Sequence, residues 1–386
     1  MEQAQLDELR AEARAFALEH AHAVEEAGGE DAQAWKALEL LAAGGWLKWT
    51  VPARDGGHVA TSLCAQDLVS VRAMGAVRAG LAYGSGMLDV MFVEQGLGSY
   101  PVARGGSEAL RARVLPRVAA GEHVAAFAVT ETDAGSDLSG VSLSATRTAS
   151  GWRLKGSKTL ITNAGLADGY TVLARSSGEP GERGGLSMFY VSSEAPGLSV
   201  ERFEVMAPHP IGDVHFADVE VDEDCLLGEE GAGMDLALGN LARFRTSVAA
   251  AANGFAERAL AESVTHLEGR KQFGRPLSSF QGLRFDLAEM DVRLAAAELL
   301  VREAALSVDT EGDATQDVAR AKLFATETAG WICDRAVQHL GGLGVRRGQV
   351  VERLFREVRA LRIYEGTSEI QKLILAKELL RRHRSE

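Results

Sequence analysis

The chain has 386 residues, 46% of them hydrophobic and 25% charged, with a formal net charge of −13. That length allows two or three domains around a large core, and the acidic balance argues against nucleic acid or an anionic membrane surface as a partner. Cys64, Cys225 and Cys333 are widely separated and no His-Glu-x-x-His pair occurs, so no metal site is expected, and no uncharged apolar run is long enough to span a bilayer.

The acidic, polar opening Met1-Glu2-Gln3-Ala4-Gln5 reads as neither a signal nor a transit peptide, and free thiols suit a reducing cytoplasm. The first third reads as helical. Leu6, Leu9, Ala13 and Phe16 share one face of a first helix, and a second runs through Ala34–Leu41 to Gly44-Gly45. Ala- and Gly-rich apolar stretches around Leu63–Met74 and Leu81–Leu97 suit closely packed interior helices. Met74, Met87, Met91 and Phe92 fit either a ligand cavity or, more commonly at this spacing, plain core.

From His123 the pattern changes to short strand-like runs. They are His123–Thr130, Val141–Thr148, Trp152–Ile161, Tyr170–Arg175, Leu186–Val191, Leu198–Val205 and Val214–Val221. Clusters of Gly, Pro, Asp and Ser separate them, as in an antiparallel meander or small barrel. No Gly-x-Gly-x-x-Gly follows a strand, so a Rossmann dinucleotide site has no support. After Gly231-Ala232-Gly233 helices return over Met234–Glu268, Phe280–Val308 and Ala314–His339, with Glu311–Thr315 as a loop. The expected organisation is a helical domain (1–122), a middle antiparallel β-barrel-like domain (123–230) and a C-terminal four-helix bundle (231–386), mainly α overall.

The last helix begins near Ser368, where Ser368 and Gln371 have the spacing of a capping box and Leu373, Ile374, Leu379 and Leu380 give an apolar stripe. Gly366 lets the backbone bend just before it, so Glu365 projects from the turn behind Ile363 and Tyr364. Such a carboxylate is suited to general-base work if desolvated, or else serves only as a favourable charge at a helix N-terminus. Other stretches also have two readings, and for Thr130–Asp137 taken alone the polar loop is the stronger. Thr130–Asp137 is either a polar turn or a row of donors, and Gly156–Ala164 either a plain hairpin strand or a second donor edge. The basic loop Gly269–Pro276 suits a phosphate or merely the end of a helix.

Taken together and in this order, the blocks resemble the acyl-CoA dehydrogenase flavoprotein family over nearly the whole chain. The residues that carry the resemblance are Ala128-Val129-Thr130-Glu131 with Ala134–Asp137, Gly156-x-Lys158 with Ile161–Ala164, and Arg270-x-x-Phe273-Gly274 with Phe280-Gln281. Gln338-x-x-Gly341-Gly342 with Gly344 and Ile363–Ser368 complete the set. The resemblance implies an FAD-dependent α,β-dehydrogenation of an acyl-CoA thioester to a 2,3-enoyl-CoA. Glu365 removes the α-proton, the β-hydrogen leaves as hydride to flavin N5, and electrons pass to an electron-transferring flavoprotein. A ribityl hydroxyl and the backbone N–H of Glu365 donate to the thioester carbonyl. It implies that Val129, Thr130, Gly135 and Ser136 lie along the flavin, with Ser136 also beside the thioester, and that Leu160 and Thr162 approach from the other edge. Arg270, Gln272, Phe273, Gln281, Gln338, Gly341 and Gly342 reach the FAD of a neighbouring subunit, which implies a homotetramer. Thr367 and Glu369 touch the cofactor, and Arg245, Tyr364 and Gly366 the substrate.

An oxidase using oxygen, a carrier-protein-bound substrate, and a flavin-binding protein without turnover are the alternatives on the same scaffold. Some branches of the family place the base near Phe244, but Leu236–Ala256 contains no Asp or Glu. Three positions depart from the family pattern. Leu160 replaces a frequent aromatic, Ala242 replaces an acidic residue near the CoA, and Ala207–Gly212 replaces a Gly-Arg-rich loop. A divergent branch with an acyl group other than a simple straight chain is the expectation.

Overall fold

A computed structural model describes residues 2–58, 64–310 and 312–384. Contacts divide the chain into two compact units, one of Met1–Ala21, Val71–Asp89 and Arg245–Glu386, the other of His22–Ser70 and Val90–Phe244. In chain order come α1 (Gln3–Glu25), α2 (Glu30–Ala43), α3 (Val71–Gly84), α4 (Gly86–Gly105) and α5 (Glu108–Ala120). The strands follow as β1 (Ala125–Ala128), β2 (Ser144–Arg147), β3 (Gly151–Thr162), β4 (Gly169–Arg175), β5 (Leu186–Ser192), β6 (Leu198–Arg202), β7 (Ile211–Asp222) and β8 (Leu226–Leu227). Then come α6 (Gly233–Gly269), the two-residue strands β9 (Lys271–Gln272) and β10 (Arg275–Pro276), α7 (Gln281–Asp309), α8 (Thr315–Leu340), α9 (Val350–Leu361) and α10 (Ser368–His383). The order helices, strands, helices is the one read from the sequence. No described helix is long and apolar enough to cross a membrane.

In the second unit the eight strands form one sheet in the order β6-β7-β3-β2-β4-β5-β8, with β1 also on β4. Each of the seven expected runs overlaps a strand; β8 is too short to show a sequence pattern. Most pairs are antiparallel, but β1 runs parallel to β4, Ala125 opposite Gly169 through Ala128 opposite Val172. Every residue of β1 and β4 is buried, Thr171 and Arg175 included, as expected of strands covered on both faces. β3 pairs with β7 along most of its length but slips register between Lys158 and Ile161, and Leu160 there has φ of 58°. An extra residue in one strand twists the edge and re-aims its side chain.

The first unit is helical, and its core is rich in alanine. Ala249, Ala251 and Ala252 of α6, Ala297 and Ala304 of α7, and Ala321, Ala325 and Ala329 of α8 are wholly or almost wholly buried. Small side chains let backbones approach: a Cβ on Gly254 of α6 would lie 2.2 Å from the Ala79 carbonyl oxygen of α3. α1 packs the other way onto α3, with Leu6, Leu9, Ala13 and Ala17 buried. Ala17 takes the place expected for Phe16, which is half-buried.

Two expectations need correction. The cap of α10 is Thr367, whose hydroxyl accepts from the Ile370 N–H, not Ser368. Ser368 instead donates to Glu327 at 2.6 Å, and Gln371 reaches back to the Gly366 carbonyl at 3.0 Å. The leucine stripe of α10 also does not pack within this chain: Leu373, Leu379 and Leu380 are 64%, 68% and 55% exposed, while the buried residues are Ser368 and Gln371. Leu63 and Glu311, the starts of an apolar run and of a loop in the sequence reading, lie outside the described residues.

Candidate active site

Tyr364-Glu365-Gly366 joins α9 to α10 in a turn whose backbone is left-handed twice over, φ being 51° at Glu365 and 90° at Gly366. The second position explains the glycine. At the first, a residue with a Cβ is held where L-residues are disfavoured by roughly 1–2 kcal/mol. Three helices of the unit hold it there. From α6, Arg245 Nε donates to the Glu365 carbonyl at 2.5 Å. From α8, Lys322 Nζ donates to the Gly366 carbonyl at 2.7 Å, and from α10 the Gln371 amide donates to the same oxygen. Tyr364 packs against the apolar core beneath.

The Glu365 carboxyl faces inward, and its Oε2 is buried without a hydrogen-bond partner among the described residues. Burial pushes its pKa above the ordinary carboxylate value, against the opposing pull of Arg78, Arg245 and Lys322. Arg78 of α3 is only 1% exposed and is held by Asp89 of α4 at 2.8 and 2.7 Å and by Ser247 at 2.9 Å. Burial alone would lower its pKa, but Asp89 more than reverses that, so the pair stays charged. The result is a desolvated carboxyl that remains ionisable because buried cations surround it.

In the other unit, the Thr130–Asp137 turn and the irregular stretch of β3 are one construction. Lys158, wholly buried, donates to the Val129 carbonyl at 3.0 Å and to Glu131 at 2.8 Å, and the Thr159 N–H donates to the Thr130 carbonyl. Glu131 also accepts from the Ser142 hydroxyl and N–H and from the Leu143 N–H. Burial lowers Lys158 to about 8, while Glu131 is held below its ordinary range, burial being outweighed by Lys158 and Ser142. This buried pair fixes Val129 and Thr130 beside Leu160 and Thr162. Leu160 is 55% exposed, an apolar side chain on a strand edge. The Thr162 hydroxyl meets His209 Nε2 at 2.8 Å, so the departing Ala207–Gly212 loop has acquired a contact with this edge. Gly135 has open space where a Cβ would stand, and Ser136 next to it is exposed.

Most of the remaining predicted residues lie far from Glu365 along their helices. Arg270, Gln272 and Phe273 follow the end of α6, about 36 Å along its axis from Arg245 at 1.5 Å per residue. Phe273 is 91% exposed in a turn with φ of 51°, close to Phe280, and Gln281 opens α7. Gln338 lies some 24 Å along α8 from Lys322, and Gly341 and Gly342 beyond it face open space. Glu369 and Thr367 sit in the first turn of α10, beside the base. Met74, Met87, Met91 and Phe92 are all buried.

Sequence reasoning missed Arg78, Asp89 and Lys322. A signal was present for two of them. Lys322 falls on the stripe Val318, Lys322, Ala325, Ala329, and Arg78 on Met74, Arg78, Leu81, so each charge interrupts an apolar face at helical spacing.

The chain belongs to the acyl-CoA dehydrogenase family: residues 3–122, 126–219 and 231–380 match its N-terminal, middle and C-terminal domains. It is 38% identical over 294 residues to an acyl-CoA dehydrogenase of Bacillus subtilis (strain 168), covering 75% of this chain and 77% of that protein. It is 32% identical to the caffeyl-CoA reductase-Etf complex subunit CarC of Acetobacterium woodii, covering 89% of each. Among solved structures, the FAD complex of PigA superposes with a TM-score of 0.88 at 25% identity over 98% of both chains. The enzyme is thus an oxidoreductase acting on acyl-CoA, and its cofactor is FAD.

The residues present fit that group. A planar, polar-edged ring needs an apolar surface bordered by donors, and the exposed Leu160 beside the Thr130 turn and the open Gly135 supply both.

Proposed function

We propose that this enzyme dehydrogenates an acyl-CoA between its α and β carbons, with Glu365 as the base. The buried, unpartnered Oε2 of Glu365 is the observation that carries the reading. FAD, when bound, supplies the acceptor for the β-hydrogen and its electron pair. Val129, Thr130, Gly135, Ser136, Leu160 and Thr162 hold it on the sheet edge, and Thr367 and Glu369 meet it beside the base.

Glu365 takes the α-proton on its carboxylate, the C–H pair remaining on the substrate as the α,β double bond forms. Its own N–H donates to the thioester carbonyl, where negative charge develops. Arg245 and Gly366 hold the turn on which both groups ride, and Tyr364 closes one side of the acyl site. A base of raised pKa is better matched to a weakly acidic proton, provided it starts ionised; Arg78, Arg245 and Lys322 provide that condition.

Two observations support an oligomer. One chain separates Arg270, Gln338 and Gly341 from its own Glu365 by tens of ångströms, so these residues serve the FAD of a second copy. Phe273, Val345 (72% exposed) and the α10 leucines also leave apolar side chains uncovered. We read the assembly as a homotetramer, its electron acceptor as an electron-transferring flavoprotein, and its location as the cytoplasm. Sedimentation equilibrium reads the first directly.

The test is an anaerobic absorbance titration of the FAD-loaded enzyme with short, long, branched and aromatic acyl-CoA thioesters. The flavin band bleaches with one class, which names the substrate. A flavin that bleaches with none of them contradicts the reading.

A further inference from the structure

Lysine is the residue least expected inside an alanine-rich helix face, yet Lys322 of α8 has no exposed surface. Its neighbours on that face, Val318, Ala325 and Ala329, are apolar and buried. An ammonium is retained in such a place only when something specific holds it. Here its Nζ donates to the carbonyl of Gly366, the residue following the base. Resting on the assignment of Glu365 as the base, we propose that Lys322 is a positioning residue, holding the left-handed Glu365–Gly366 turn in its reactive geometry and keeping a positive charge behind the carboxylate.

Removal of the lysine leaves the Gly366 carbonyl without a charged donor and the carboxylate with one cation fewer. Arg245 holds the other carbonyl of the turn, that of Glu365, and Gln371 approaches the Gly366 oxygen with a neutral amide. The charged groups facing Lys322 are Glu365, Glu327 of α8 itself, Glu369 of α10 and Arg245 of α6. Those facing Glu365 are Arg78 of α3, Arg245, Lys322 and Asp89 of α4. Burial lowers Lys322 to about 8, with Glu365 pulling the other way, so the two ionisations are coupled. Loss of the cation leaves the carboxyl harder to ionise and the acid limb of the rate profile moves to higher pH.

The experiment compares Lys322→Met and Lys322→Arg with the parent by stopped-flow flavin bleaching from pH 5 to 9. In Lys322→Met the flavin stays bound and the limiting rate falls on the order of 10²-fold, as for a reacting group displaced by about 1 Å. Half-saturation moves little, the acid limb shifts upward, and Lys322→Arg restores the limb. A Lys322→Met enzyme with the parent's rate and acid limb overturns the proposal, because a purely packing role would affect only stability.

Should Lys322→Met not fold, the 15N resonance of Lys322 Nζ is titrated in the parent and in Glu365→Gln, assigned by its loss in Lys322→Arg. Lys322 deprotonates at lower pH once Glu365 is neutral; an unmoved titration overturns the coupling. Glu365→Gln also separates the two claims. If it still bleaches, the base assignment fails; if it is dead while Lys322→Met is normal, only the role of Lys322 fails.

Discussion

Gly366→Ala probes the turn without removing a charged group. At φ of 90° the alanine is strained by about 1–2 kcal/mol on conformation alone. Its Cβ would also lie 2.7 Å from Gln371 Nε2 and 3.2 Å from Arg245 Nη2. Ordinary contact begins at 3.4 Å, so the Gln371 amide must retreat by 3.4 − 2.7 = 0.7 Å. That motion weakens its hydrogen bond to the Gly366 carbonyl, a further loss of about 1 kcal/mol. Urea unfolding of the FAD-loaded variant is therefore expected to show a loss of about 2–3 kcal/mol. Single-turnover bleaching should slow on the order of 10²-fold, since the base moves with the turn. Stability within about 0.5 kcal/mol of the parent at an unchanged bleaching rate would refute the reasoning.

Other positions give independent checks. Lys158→Met leaves the Glu131 carboxylate buried without its cation, and equilibrium unfolding should show a loss of about 3–5 kcal/mol. Because Glu131 is held below its ordinary value, its share of stability is complete above pH 4.5 and is lost as pH falls through the depressed value. Acid unfolding of Lys158→Met, followed by circular dichroism, should accordingly begin at higher pH than in the parent. Gly254→Ala forces α3 and α6 apart, because the added Cβ meets the Ala79 carbonyl oxygen at 2.2 Å; calorimetry should report a cost of about 1–3 kcal/mol or more. In the unmodified enzyme the acid limb of the bleaching rate should lie above 4.5, the rate falling as Glu365 becomes protonated.

The order of elements was legible in the sequence because it rests on periodicity. α2 ends at Gly44-Gly45, and each strand of the sheet down to β7 overlaps a run bounded by Gly, Pro, Asp or Ser clusters. Pairing was not legible. The parallel partnership of β1 with β4 joins residues 44 positions apart, Ala125 with Gly169, and no local pattern encodes it. The position of Glu365 on a turn was readable from Gly366, but not its left-handed backbone, which depends on donors contributed by α6, α8 and α10. The capping residue was misread by one place because Ser368 and Gln371 satisfy the capping-box spacing while spending their side chains on Glu327 and Gly366. The outward leucines of α10 show the limit of an apolar stripe as evidence: it predicts that a face is covered, not that the same chain covers it.

The most direct test of the central claim is flavin bleaching by the identified acyl-CoA in Glu365→Gln beside the parent, both loaded with FAD and held without oxygen. Glutamine keeps the size of the side chain and removes its ability to take a proton. Glu365→Gln should hold FAD as the parent does and stay yellow at saturating substrate while the parent bleaches. Bleaching of the variant at the parent's rate would place the base elsewhere.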